Sequence, residues 1–306
     1  MINQLKFLPY FYANPQFRFA GVFNGLKTVI ANSQNTWPIV IDASSDFHLT
    51  AIQSSIPTAT DEGPPNTIAF NRFQVADGTT RQLMDNPSMA KFFTWVQAPS
   101  WKILRTGSLN TTLYNDTNAS VTTINPFVFQ GLREYDQNIR EEPTYPYREE
   151  FYTIRVPVNY TAPTIDPPGY PQKRFTQVVS NYNFKLKRIR GVIFDGPNSS
   201  LPGGDHAYPG FILYDYQLRA LMNTFIPLNI FNYNHPSANN AASFPNLDLL
   251  FPVNSVIQVD VADLGGVAAG NTLDQAGELL YEGVNLIPCS EDDPRRIQTP
   301  GPAQGN

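Results

Sequence analysis

Cysteine is nearly absent. Cys289 is the only one in 306 residues, which excludes an internal disulfide framework and a multi-thiolate zinc site within one chain. Charge is also scarce, with Asp, Glu, Lys and Arg at 15% of the chain against about 25% in an average protein. The 21 Lys and Arg are outnumbered by 26 Asp and Glu, for a net charge of -5. No basic field is available to hold a phosphate backbone, so direct nucleic-acid binding is not expected. No apolar run approaches the roughly 20 residues that span a bilayer, so any membrane contact would be peripheral. The start, Met1 to Pro9, lacks the charged head, long apolar middle and small-residue cleavage site of a secretory signal, and folding in the cytoplasm where the chain is made is expected.

Signals of chemistry are equally sparse. Histidine occurs three times: His48 on an alternating stretch, His206 in a glycine-flanked loop, and His235. None has a second histidine at ligand spacing, so no metal site is expected. There is no Gly-x-Ser-x-Gly elbow and no histidine close to Cys289 in sequence, and neither Gly203-Gly204 nor Gly265-Gly266 completes a phosphate-binding loop. The acidic pairs Glu141-Glu142 and Glu149-Glu150 and the run Glu291 to Asp293 read as solvated charge rather than as glycosidase carboxylates. No catalytic residue, no cofactor and no enzyme activity are expected.

Breakers and aromatics are abundant. The chain holds 27 prolines, 19 glycines, 21 phenylalanines and 15 tyrosines. Proline in a helix interior costs about 3 kcal/mol, so long helices have little room. The apolar stretches are short and alternate, as in Phe47 to Ile52, Phe184 to Ile189 and Val256 to Val261, the period of half-buried antiparallel strands. One stretch, Gln217 to Phe225, carries Leu218, Leu221, Met222 and Phe225 at helical spacing, and reads either as a helix or as a strand followed by a turn.

The chain also repeats itself. Phe73 to Asp85 recurs 138 positions later as Phe211 to Asn223, with Phe73/Phe211, Asp77/Asp215, Arg81/Arg219, Leu83/Leu221 and Met84/Met222 identical. Upstream, Asp46 to Ile52 aligns with Asn183 to Ile189, and downstream Val128 to Leu132 aligns with Leu280 to Val284, placing Gly131 opposite Gly283. The alternation and the repeat predict an all-β chain with little helix, made of two tandem β-sandwich barrels from an internal duplication. The expected divisions are an N-terminal arm (1–25), a first barrel (26–135), a Pro-rich and charged connector (136–172), a second barrel (173–289) and a tail (290–306). The repeated Asp and Arg, four apart, read as structural ties of a turn rather than as a duplicated active site.

These motifs, an Asp/Asn-Phe strand, a later Asp-x-x-x-Arg-x-Leu-Met turn and a last strand with Gly131 or Gly283, resemble those of jelly-roll virion proteins. Two such units, over roughly residues 40–135 and 175–288, resemble the double jelly-roll coat proteins of tailless icosahedral bacteriophages. The resemblance implies a capsid protein in the virion, among other virion proteins, assembling as a pseudo-hexameric homotrimer. A trimer of two-barrel subunits presents six similar units and tiles a hexagonal lattice while keeping threefold closure. The alternatives are a decoration, spike or tail-associated virion protein, and a glycan-binding sandwich with Trp95, Trp101 or Tyr208 as stacking platforms.

Overall fold

The computed structural model describes residues 6–14, 17–19, 22–24, 27–54, 72–79, 82–86, 94–116, 118–123, 127–140, 143–161, 173–179, 181–194, 209–227, 249–263 and 274–297. The first half contains β1 (Phe7–Ala13), β2 (Phe17–Phe19), β3 (Val22–Asn24), β4 (Lys27–Val29), β5 (Ser33–Val40), β6 (Asp46–Ser54), β7 (Arg72–Asp77), β8 (Gln82–Asn86), β9 (Thr94–Ile103), β10 (Ser108–Asn115), β11 (Val121–Thr123) and β12 (Phe127–Glu134). The second half contains β13 (Tyr147–Thr161), β14 (Lys173–Val178), β15 (Asn183–Phe194), β16 (Pro209–Leu213), β17 (Ile226–Pro227), β18 (Leu249–Phe251), β19 (Val256–Asp263) and β20 (Asp274–Pro288).

Four sheets of four strands carry the architecture, in the orders β1-β12-β6-β9, β5-β10-β7-β8, β13-β20-β15-β18 and β14-β19-β16-β17. Leaving aside the two small ribbons β2-β3 and β4-β11, each half uses eight strands. In both, the first strand pairs with the eighth, the eighth with the third and the third with the sixth, while the second, seventh, fourth and fifth form the facing sheet. That is the jelly-roll order, and the chain follows it twice.

Alternation decides which residues fill each sandwich. Trp37 and Ile39 of β5, Phe47, Leu49 and Ile52 of β6, Leu109 and Leu113 of β10, and Phe127 and Phe129 of β12 turn into the first core. Phe184, Leu186 and Ile189, Val259 and Val261, and Leu279 and Tyr281 fill the second. At about 25 cal/mol per Å² of apolar surface removed from water, these aromatics dominate the burial.

Three expectations need correction. The N-terminal arm is no arm from Phe7 onward: β1 pairs along its whole length with β12 and every residue of it is buried, because its tyrosines fill the first core while Leu8, Phe11 and Ala13 join the second. The connector contains β13, a 15-residue strand that pairs from end to end with β20, and the sequence hides it because Arg148, Glu149 and Glu150 stand on a strand whose outer side is solvated. Gln217 to Phe225 is not helical. Leu218 takes φ 61°, and the Asp215 carboxylate captures the N–H groups of Gln217 and Arg219, folding the chain into a turn.

Candidate functional site: the repeated ties and the joint

Asp215 has no exposed surface, and every group around it is oriented by the turn it closes. Its Oδ1 accepts from the Gln217 and Arg219 N–H groups at 2.9 and 2.8 Å, and its Oδ2 accepts from the Arg219 guanidinium at 2.6 Å. Arg219 also donates to the Ile139 carbonyl oxygen at 3.1 Å, tying the turn to the segment that follows β12. In the first half, Asp77 Oδ1 accepts the N–H and hydroxyl of Thr79 at 3.0 and 2.7 Å; Arg81 lies outside the described residues. Phe73 and Phe211 lie in the corresponding strands β7 and β16 and are buried in the first and second cores.

A second pair of ties serves the hairpin after the sixth sandwich strand. Asp46 Oδ1 accepts the Arg105 N–H at 2.9 Å, and Asn183 Oδ1 accepts the Val253 N–H at 2.8 Å. The turns match atom for atom: Gly107 N–H reaches the Leu104 carbonyl and Ser255 N–H the Pro252 carbonyl, at 2.9 and 3.0 Å. Thr106 and Asn254, at φ 63° and 65°, donate to the carbonyls of Ile41 and Val179. The Asp/Asn-Phe motif is therefore a hairpin tie followed by a core aromatic.

Gly131 and Gly283 form the third pair. Each faces a bulge in the neighbouring strand, after Leu49 in β6 and after Leu186 in β15. A Cβ on Gly131 would overlap the His48 carbonyl oxygen and the Phe47 ring, and one on Gly283 would overlap the Lys185 carbonyl oxygen and the Phe184 ring. Only glycine lets a ring lie this close across a bulge.

The two sandwiches meet at a joint that sequence reasoning missed. The outer edge of β1 is taken by the second half's turn: Phe11 N–H donates to the Leu221 carbonyl at 2.9 Å, and Asn223 N–H donates to the Phe11 carbonyl at 3.2 Å. The Asn223 side chain holds Ala13 at both ends, accepting its N–H and donating to its carbonyl, each at 2.8 Å. The motif Leu221-Met222-Asn223 was visible as a repeat, but its grip on a strand some 210 positions away leaves no local signal.

Several polar groups have shifted titration. Asp260 is buried, which raises its carboxyl, but hydrogen bonds from Arg174 at 2.8 and 3.0 Å and from the Tyr214 hydroxyl at 2.7 Å outweigh that and hold it below its ordinary value. Tyr214 is pushed up to about 12, by burial first and then by Asp260. On the first half, Lys102 bridges Glu134 and Asp46 at 2.6 and 2.9 Å, and His48 Nε2 lies 2.7 Å from Glu134. Hydrogen bonds from Lys102 and then His48 hold the Glu134 carboxyl low. These are pairs of acids with cations or a phenol, suited to fixing strands together.

Among the described residues, no group of three or more His, Cys, Asp or Glu is placed to hold a metal ion. His206, His235 and Tyr208 lie outside the described residues, as does the side chain of Trp95, while Trp101 is half-buried and packs on the first core.

No family model and no curated protein matches the chain. Among solved structures, it is similar to an archaeal virus protein with a triple jelly-roll fold and turret assembly, at 10% identity and TM-score 0.23, covering 85% of this chain and 59% of that one. It is similar also to a serum fucolectin of the striped bass Morone saxatilis (7%, TM-score 0.23, covering 92% and 98%) and to VP54 of PBCV-1 (8%, TM-score 0.22, covering 92% and 94%). The chain thus spans about 59% of the length of the archaeal virus protein. At these scores the likenesses do not bear on function.

Proposed function

We propose that the chain is a structural protein of a virus particle: a capsid protein of an icosahedral bacteriophage, made in the host cytoplasm and assembled in the virion as a pseudo-hexameric homotrimer. The observation that carries this reading is the same eight-strand order followed twice, with hairpin tie, bulge glycine and aspartate turn at matching positions. Repetition of fold-holding residues serves a molecule whose two halves occupy similar places in a lattice. The proposed role is non-catalytic.

The abundance of Phe and Tyr and the scarcity of charge suit lateral contacts, since interface cores are rich in aromatics and poor in charge. Light scattering on a sizing column, followed by imaging of the peak, tests the reading. A species of three times 34.2 kDa with a six-lobed outline is expected, together with no binding on a glycan array. A monomer that binds a sugar would replace the capsid reading with a lectin-like one.

A further inference from the structure

The joint inside the chain uses two edges, and the repeat supplies both of them a second time. In the joint, the first strand of one sandwich, β1, is held at its outer edge by the Leu221–Asn223 turn of the other. The counterpart of β1 is β13. Both are the end strand of their sheet, and both pair with the last strand through its glycine, Tyr10 opposite Gly131 and Tyr152 opposite Gly283. Counting from those pairs, Thr153 stands where Phe11 stands and Arg155 where Ala13 stands.

The match extends to hydrogen-bond direction. Phe11 turns its N–H away from β12 toward the joint, and Pro9, two residues earlier, has no N–H to offer on that side. In β13, Pro157 lies at the same alternation as Thr153, so both edges keep their proline where no ladder bond is lost. The counterpart of Leu221–Asn223 is Leu83–Asp85, in β8, the end strand of the first half's other sheet. Its pairing with β7 shifts register at Leu83, between Val75 and Ala76, at the position corresponding to Leu221, where the carbonyl swings out to meet Phe11.

The covered and the uncovered edge differ in the way an unused contact should. All of β1 is buried, with Tyr10 only 6% exposed, whereas Tyr152 is 42% and its neighbour Phe151 76% exposed. Among the described residues, β13's outer edge receives one backbone bond from another segment, from Ile297 N–H to Tyr147 at its first residue. Charge completes the match. Asp85 takes the register position of Asn223, and Arg155 that of Ala13, so the second joint sets opposite charges where the first has an amide clamping a backbone.

We propose that the free edge of β13 docks on Leu83–Asp85 of β8 in a second copy of this chain, reproducing between chains the joint that β1 makes with Leu221–Asn223 within one. The contact is heterologous, so it propagates from copy to copy until it closes. Closure after three copies places six sandwiches in a ring, held alternately by internal and intermolecular joints. The docking rests on the capsid reading for its purpose and for the number of copies, while its geometry comes from the internal joint.

The test is the molar mass of the full chain and four variants. Thr153→Pro removes the N–H that would reach the Leu83 carbonyl; Arg155→Asp and Asp85→Arg each bring like charges together, and the double variant restores an opposite pair. Arg155 also pairs with Glu278, whose side chain is only 12% exposed, so Arg155→Asp and the double variant, which both lose that pair, are compared with each other. Wild type is expected at three times 34.2 kDa, each single variant at the monomer mass with a β-sheet circular dichroism spectrum, and the double variant back at the trimer. That recovery has no explanation in misfolding, even if the proline variant proves unstable. A trimer that survives all three single variants overturns the docking and leaves the capsid reading standing. A trimer that depends on these residues but is missing from purified particles, by mass spectrometry, upholds the docking and overturns the capsid reading. A wild-type monomer at every concentration overturns the docking.

Discussion

Gly131 and Gly283 illustrate how little freedom the repeated residues have. Each sits beneath a phenylalanine ring and against a bulged carbonyl, so adding one methyl group forces backbone movement rather than a rotamer change. Gly283→Ala is expected to destabilise the chain by about 1–3 kcal/mol, the usual cost of overpacking, seen as a lower denaturation midpoint. An unchanged midpoint would mean that the bulge can slide. Tyr281 presents the opposite case. Its ring is buried in the second core, its hydroxyl has no hydrogen-bond partner among the described residues, and burial raises its pKa; the corresponding residue of the first half is Phe129, also buried. Tyr281→Phe removes an unsatisfied polar group and is expected to stabilise by about 1 kcal/mol, measured by the same denaturation.

Among the elements, β1 is the most informative. It belongs by pairing to the first sandwich and by half of its side chains to the second core, so it couples the two. Asn223→Ala deletes both hydrogen bonds to Ala13 and leaves its N–H and carbonyl to find water. A loss of about 1–2 kcal/mol is expected. Amide exchange at residues 7–13 should speed up while exchange in β6 and β15 holds; uniform acceleration would instead mean that the joint is part of one global unfolding unit. β13 shows why strand recognition fails for a charged edge. Alternation reads as a strand only where one face is apolar, and Arg148, Glu149, Glu150 and Arg155, all partly or fully exposed, break the pattern.

For the whole molecule, the charge pairs set a pH window. Asp46, Asp260 and Glu134 all have their carboxyls held below the ordinary value, Asp46 and Asp260 by hydrogen bonds that outweigh burial. A group lowered in the folded chain contributes its stability in full above its unfolded value, 3.8 for the aspartates, and loses it as pH falls through the folded value. Melting temperature should therefore fall on acidification below about pH 4. At the other end Tyr214, raised to about 12 from 10.0, favours the folded chain below pH 10, and that contribution disappears as pH rises toward 12. Melts across the two ranges check both. A flat acid limb would show that these pairs are as well solvated folded as unfolded, and Asp260→Asn should flatten the alkaline limb if Tyr214 is held by that carboxylate.

The sequence by itself determined the all-β class, because alternation and breakers are local and survive in a single chain, and it displayed the repeated short motifs on which the expectation of two halves rests. Phe73, Phe211, Asp77, Asp215, Gly131 and Gly283 could all be picked out by register alone. What their side chains touch could not: Asp46 and Asn183 meet hairpins some 59 and 70 positions away, and Asn223 meets Ala13 across 210. Only the tertiary structure decided that residues 7–13 are a shared strand rather than an arm, that residues 147–161 are a strand rather than a connector, and that, among the described residues, the Leu221–Asn223 turn covers the outer edge of β1 while that of β13 receives one backbone bond, from Ile297. Those outcomes depend on which distant backbone groups become neighbours, and hydrogen-bond partners between remote strands are chosen by the packing of whole sheets, which leaves no periodicity behind in the chain.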